Sequence, residues 1–196
     1  MKEIEFWFSI GSTYTYLSVT RLKEVEQKFG VSFSWQPFSV RKIMLEMDNV
    51  PFPPTKKVKA DYMWRDIERR AQGYGFEAKV PAPYPLKEFD VANCVAVLGM
   101  QEGWCSDYVR ATYQRWFIDG LEPGSEPNVS ASLMEIGQQP ERVLELADDD
   151  KIRKTYLNQT EQAKSKNIFG SPSFIVDGEL FWGDDRLEDT VNWVLR

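Results

Sequence analysis

The chain contains no histidine, and that absence removes a large part of enzyme chemistry. Ser-His-Asp and Cys-His nucleophile activation, imidazole general-base catalysis and histidine-ligated zinc all need the missing side chain. Cysteine is almost absent too. Cys94 and Cys105 are the only two and lie in helix-like sequence; their spacing fits neither a CxxC redox pair nor a zinc site, and both are expected to be packing residues. No stretch approaches the roughly 18 uninterrupted apolar residues of a membrane span. The opening "MKEIEFWFSI" carries acidic residues and no small-residue cleavage site, so no signal peptide is expected and the expected location is the cytoplasm. Positive charge is in deficit, with 24 Lys and Arg against 30 Asp and Glu, a formal charge of -6. A nucleic-acid partner is therefore not expected, because phosphate binding relies on basic surface to displace counterions.

What remains is an ordinary globular composition of 196 residues, 42% hydrophobic and 28% charged, enough for one sizeable core or one core with an insertion. "EIEFWFSI" (3–10) is aromatic and β-branched and reads as a buried strand. Gly11 turns the chain, and Tyr14, Leu17, Leu22, Val25 and Phe29 fall at helical spacings up to Gly30, where a helix would be capped. "VSFSWQPF" (31–38) alternates as a second strand and stops at Pro37. This β-α-β opening predicts parallel neighbours with a right-handed crossover.

The next hundred-odd residues read as mostly helical. Val58, Tyr62, Ile67, Ala71 and Tyr74 mark a long amphipathic helix, and further helices are predicted near 87–102, 105–118, 130–136, 141–147 and 149–167. Proline-rich breaks at "VPFPP" (50–54), "VPAPYP" (80–85) and "LEPGSEP" (121–127) separate them and are too short to be interdomain linkers. Strands return only at the end: Pro172 opens "SFIV", Asp177-Gly178 is a hairpin turn, "ELFWG" returns, and a last helix presents Leu187, Val191 and Val194 on one face. The order βαβ, helical insertion, ββα predicts an α/β protein with a thioredoxin-like core. Residues 1–40 and 168–196 form that core, and 41–167 form an all-helical insertion within one compact unit.

In such a core the reactive group sits just after the first strand, at the N-terminus of the first helix, where free N–H groups and the helix dipole stabilise an anion. Ser12 occupies that point, in "GSTYT". Redox proteins of this order place a C-x-x-C there; Ser12-Thr13-Tyr14-Thr15 offers no thiol, so the site would have to bind one from outside.

Three segments in this order, "FWFSIGSTYTYLS", "FGSPSFIV" and "FWGDDRL", resemble the 2-hydroxychromene-2-carboxylate isomerases and class kappa glutathione transferases, in the DsbA-like branch of the thioredoxin superfamily. The likeness spans nearly the whole chain. It implies glutathione as cofactor, a small aromatic substrate and a homodimer. Ser12 matches the serine that hydrogen-bonds the glutathione thiol, in a motif completed by Thr13 and Tyr14; Thr13 stands where the family usually has proline, which removes a fixed φ and adds an N–H. Asn49 and Lys59 match an asparagine and a lysine around the start of the long helix. Ser171 matches the residue whose backbone pairs with the cysteinyl part of glutathione, before a cis-proline matched by Pro172. Asp184 and Asp185, before Arg186, match the acidic pair that holds the γ-glutamyl end. The implied activity is a glutathione-dependent isomerase or kappa-like transferase acting on an unsaturated aromatic compound, with Ser12 stabilising the thiolate.

Each of these residues also has a plainer reading. Ser12 is a good helix N-cap, Pro172 can begin an edge strand, "GDDRLED" suits a helix start, and Lys56, Lys57 and Lys59 suit a solvated face. Trp7, Tyr62, Trp64 and Trp182 read as core aromatics, with the lining of an apolar substrate pocket as the functional reading for one or two of them. The alternative functions are a redox-inactive DsbA-like binding or chaperone-like module, or another thiol-dependent enzyme such as a dehalogenase.

Overall fold

The computed structural model describes residues 2–49 and 54–196. The "VPFPP" break falls largely outside the described residues. Strand β1 (Lys2–Phe8) leads through a loop into helix α1 (Thr15–Phe29), and β2 (Val31–Pro37) then runs parallel to β1, pairing Lys2 with Val31 and Phe8 with Pro37. Near the C-terminus, β3 (Ser173–Val176) pairs antiparallel with β1 and β4 (Glu179–Trp182) pairs antiparallel with β3, giving the order β2-β1-β3-β4. β1 is thus internal, which explains its run of apolar residues on both faces: Ile4, Phe6, Trp7 and Phe8 are all buried. Phe6 stacks on its cross-strand partner Phe174 at 5.3 Å.

Between β2 and β3 lie α2 (Val40–Glu46), α3 (Lys57–Gly73), α4 (Phe89–Glu102), α5 (Cys105–Gln114), a π-helical extension at Arg115–Asp119, α6 (Asn128–Glu135), α7 (Pro140–Ala147) and α8 (Asp150–Ser165). A short turn at Asp184–Arg186 then leads into α9 (Leu187–Val194). α4 is buried from Phe89 through Gly99 on nearly every side, as an apolar helix must be, and packs against β2, α5, α7 and α8. This mixed α/β architecture is the expected thioredoxin-like order. The parallel crossover, the left-handed Gly30 cap at φ +65° and the Asp177-Gly178 hairpin all appear where the sequence puts them.

Several local readings are corrected. α1 begins at Thr15, because Ser12 N–H bonds to Ser9 O at 3.0 Å and Gly11 sits at φ +121°, which keeps the chain in a turn for three more residues. α2 was not anticipated from the apolar pattern; it is short, and its start is fixed by Ser39, whose side chain accepts from Lys42 N–H. α3 buries Met63, Ile67 and Ala71, whereas Val58 and Tyr62 are 83% and 62% exposed, so its inward face is rotated from the one expected over the first turns. Of the aromatics assigned to the core, Trp7 belongs there and Trp64 packs against it, while Tyr62 and Trp182 face solvent.

Candidate active site

The loop from Ser9 to Tyr14 is held from several sides. Asn93 on α4 accepts from Ile10 N–H and donates to Ile10 O, both at 2.8 Å, in the manner of a neighbouring strand. Tyr113 on α5 donates its hydroxyl to the carbonyls of Ser9 and Ser12 at 3.2 and 3.0 Å. Ser9 N–H donates to Ser171 Oγ at 2.9 Å. Gly11 is required on two grounds: its φ lies in the left-handed region, and a β-carbon there would come within 2.5 Å of the Phe89 ring.

On this fixed loop Ser12 Oγ donates to Ser171 O at 2.6 Å, and Thr15 Oγ1 lies 2.9 Å from Ser171 Oγ. The Ser171–Pro172 peptide is cis. The capping position of α1 is taken by Tyr14, with no side-chain cap bond, so Ser12 is not the helix cap. A hydroxyl, a backbone carbonyl and the N-terminal end of a 15-residue helix therefore meet at one place, where the Tyr16 and Leu17 amides already donate to Thr13 O and Tyr14 O at 3.3 and 3.1 Å. The positive end of the helix dipole favours an anion beside the hydroxyl, while the Ser171 carbonyl offers an acceptor for a ligand N–H.

The two residues after Ser12 turn inward. Thr13 is buried with Oγ1 on Met63 Sδ at 3.1 Å. Tyr14 donates to Asp66 Oδ2 at 3.1 Å, and burial together with the Asp66 charge raises its phenol far above the ordinary range.

The expected acidic pair divides. Asp184 is buried, its Oδ2 2.6 Å from Arg70 Nη2, and its carbonyl accepts from Arg21 Nη2 at 2.8 Å. Burial pushes its carboxyl up to about 7, against the opposing pull of Arg70 and Arg21. Asp185 is exposed, and a hydrogen bond from Arg186 holds its carboxyl below the usual range. The turn bearing both is tied to the Ser12 cluster through Gly183 N–H, which donates to Pro172 O at 2.9 Å. Asn49 and Lys59 are both exposed, and among the described residues neither side chain is brought into contact with the Ser12 loop.

Cys94 and Cys105 are free and buried, as expected of packing residues; burial raises the Cys94 thiol to about 11 and the Cys105 thiol further. Among the described residues no cluster of acidic and cysteine side chains could hold a metal ion.

Three contributors to this site were missed in the sequence. Asn93 is the one polar residue in the apolar stretch from Val91 to Met100 of α4, which is a legible sign of a buried hydrogen-bonding task. Tyr113 and Arg70 gave no such sign, because their partners lie about a hundred residues away along the chain.

The chain is similar to a 2-hydroxychromene-2-carboxylate isomerase of Sphingobium xenophagum, at 24% identity over 99% of this chain and 98% of that one. It is also similar to glutathione S-transferase kappa 1 of Caenorhabditis elegans, at 23% identity over 95% of this chain and 88% of that one. Among solved structures, a 2-hydroxychromene-2-carboxylate isomerase superposes with a TM-score of 0.86 at 24% identity, covering 99% of this chain and 96% of that chain. Residues 3–193 match the model of the DsbA-like thioredoxin domain, and the chain belongs to that family.

Proposed function

We propose that the protein binds glutathione against Ser12 and is an isomerase, or a kappa-like transferase, of an unsaturated aromatic substrate. The observation that carries this reading is the meeting of Ser12 Oγ–H with the Ser171 carbonyl at 2.6 Å beside the first turn of α1, in a chain whose own thiols are buried elsewhere. Relatives named as isomerase and as glutathione transferase support the same class of chemistry.

The residues present fit the tripeptide. Ser171 offers a backbone carbonyl for an amide N–H, Ser12 a hydroxyl proton for a sulfur, and exposed Asp185 a carboxylate for an ammonium group. When bound, glutathione supplies a sulfur nucleophile that adds reversibly to a conjugated double bond, permits rotation about it and leaves again, or stays attached in a transfer. The chain's part is electrostatic. Ser12 Oγ–H and the positive end of the α1 dipole lower the proton affinity of a sulfur beside them, a task that needs no imidazole. Asn93 and Tyr113 hold the loop so that this donor set is not reorganised during the reaction.

Isothermal titration with glutathione, followed by a screen of aromatic unsaturated acids, tests the reading. Micromolar to millimolar binding with turnover of such an acid is expected. Absence of binding heat and of retention on immobilised glutathione would point to the redox-inactive binding module.

A further inference from the structure

Every arginine except Arg41 and the C-terminal Arg196 pairs with a carboxylate among the described residues. Arg41 is the second residue of α2 and is half-buried. Its guanidinium lies 4.1 Å from the centroid of the Phe89 ring, and its Nη2 donates to Leu86 O at 2.9 Å. Asp90, the acidic residue next to Phe89, is exposed and makes no ion pair with it among the described residues. A partly desolvated guanidinium has five N–H donors, and one carbonyl and one ring face leave most of them unused.

The location links this cation to Ser12. The Phe89 ring and Leu86 both close on Gly11, at 2.5 and 3.6 Å from where its β-carbon would be, and Gly11 immediately precedes Ser12. Arg41 therefore stacks on the ring that walls one side of the Ser12 loop. Aromatic surface continues from there: Arg41 lies close enough to Tyr84 to oppose the rise that burial imposes on its phenol, and Tyr84 meets Trp64 edge-on at 6.0 Å. Trp64 follows Met63, which accepts from Thr13 Oγ1. A cation with no ion pair among the described residues thus stands beside an apolar, aromatic wall next to the Ser12 loop.

We propose that Arg41 is a specificity-determining residue that receives a carboxylate on the second substrate, while Tyr84 and Trp64 flank its aromatic part. This rests on the glutathione site at Ser12 and adds to it a choice: an arginine here favours an anionic acceptor over a neutral one, which separates two activities that share the same thiol site. Arg41 is matched to the task because a planar fork meets a carboxylate through two parallel hydrogen bonds, while its face is already occupied by Phe89.

The test compares trans-cinnamate with uncharged trans-cinnamamide by isothermal titration, with and without saturating glutathione, for wild type, Arg41→Met and Arg41→Lys. Wild type should bind the carboxylate on the order of ten- to a hundredfold more tightly than the amide, from two charge-assisted hydrogen bonds. Arg41→Met should erase that preference with glutathione affinity unchanged, and Arg41→Lys should keep part of it. Equal binding of the two ligands by wild type overturns the proposal without any variant, and so does a preference that survives in a folded Arg41→Met. Loss of glutathione binding in wild type is a separate failure of the Ser12 reading, because the preference measured without glutathione still reports on Arg41.

Discussion

The Ser12 hydroxyl and the Ser171 carbonyl, 159 residues apart in the chain, meet at 2.6 Å. A serine hydroxyl has one proton, so while it donates to Ser171 it has none to give to a sulfur. A ligand that brings its own N–H to the Ser171 carbonyl frees the Ser12 proton, and the exchange leaves no polar group unpaired. The same bond fastens the loop after β1 to the turn before β3, so the proposed thiol site lies where the two halves of the sheet region meet.

Ser12→Ala separates this role from a structural one. Losing the bond to Ser171 should cost about 0.5–1.5 kcal/mol of stability. If the hydroxyl also donates to bound thiolate, the thiol pKa of bound glutathione should rise by about one unit, with turnover falling more than affinity. Ultraviolet thiolate absorbance against pH measures it. Superimposable titrations for the two proteins, with equal turnover, would leave Ser12 as a loop fastener only.

The protein should lack disulfide oxidoreductase activity. Ser12 and Thr15 stand where a redox pair would be, and Cys94 and Cys105 are buried with thiols that burial keeps protonated. Insulin reduction is the assay. Substantial activity that persists after both cysteines are replaced would mean that the active site lies elsewhere.

How much was legible depended on the range of the interaction that fixes each feature. β1, α1 and the Asp177-Gly178 hairpin follow from local patterns and turn residues, and they appear in place. The last helix buries Leu187, Val191 and Val194 as its spacing requires. By contrast, the first half of α3 was assigned the wrong face, because Val58 and Tyr62 keep helical spacing yet lie beyond the surface that Met63, Ile67 and Ala71 cover. "GDDR" reads as two equivalent carboxylates. Only the long-range placement of Arg70 and Arg21 shows that Asp184 turns inward and Asp185 outward.

In the proposed glutathione site, that division leaves Asp185 as the carboxylate a ligand can reach. Asp185→Ala should weaken glutathione binding by about 1.5–3 kcal/mol, the usual worth of a charge-assisted hydrogen bond to an ammonium group. It should leave the pKa of bound thiol nearly unchanged, because Asp185 acts at the far end of the ligand. Titration calorimetry on the variant decides, and an unchanged dissociation constant would reduce Asp185 to a partner of Arg186 at the start of α9.

Asp184 should reveal itself in the pH dependence of stability. Its carboxyl titrates near 3.8 when free and near 7 in the folded protein, because burial outweighs the attraction of Arg70 and Arg21. Between those values the folded state holds a proton that the unfolded state has released, so this group's contribution is fully present below about pH 4 and is lost as pH rises through about 7, by on the order of 2–4 kcal/mol. Asp184→Asn cannot titrate and resembles the protonated acid. Denaturant unfolding from pH 4.5 to 8 should therefore show the variant little changed at the acid end and gaining on wild type as pH rises. A variant that instead loses ground with rising pH would mean that Asp184 is ionised throughout, with Arg70 and Arg21 outweighing burial. In that case the inward carboxylate serves chiefly to anchor Arg70, and through Asp66 to hold Tyr14 beside the Ser12 loop.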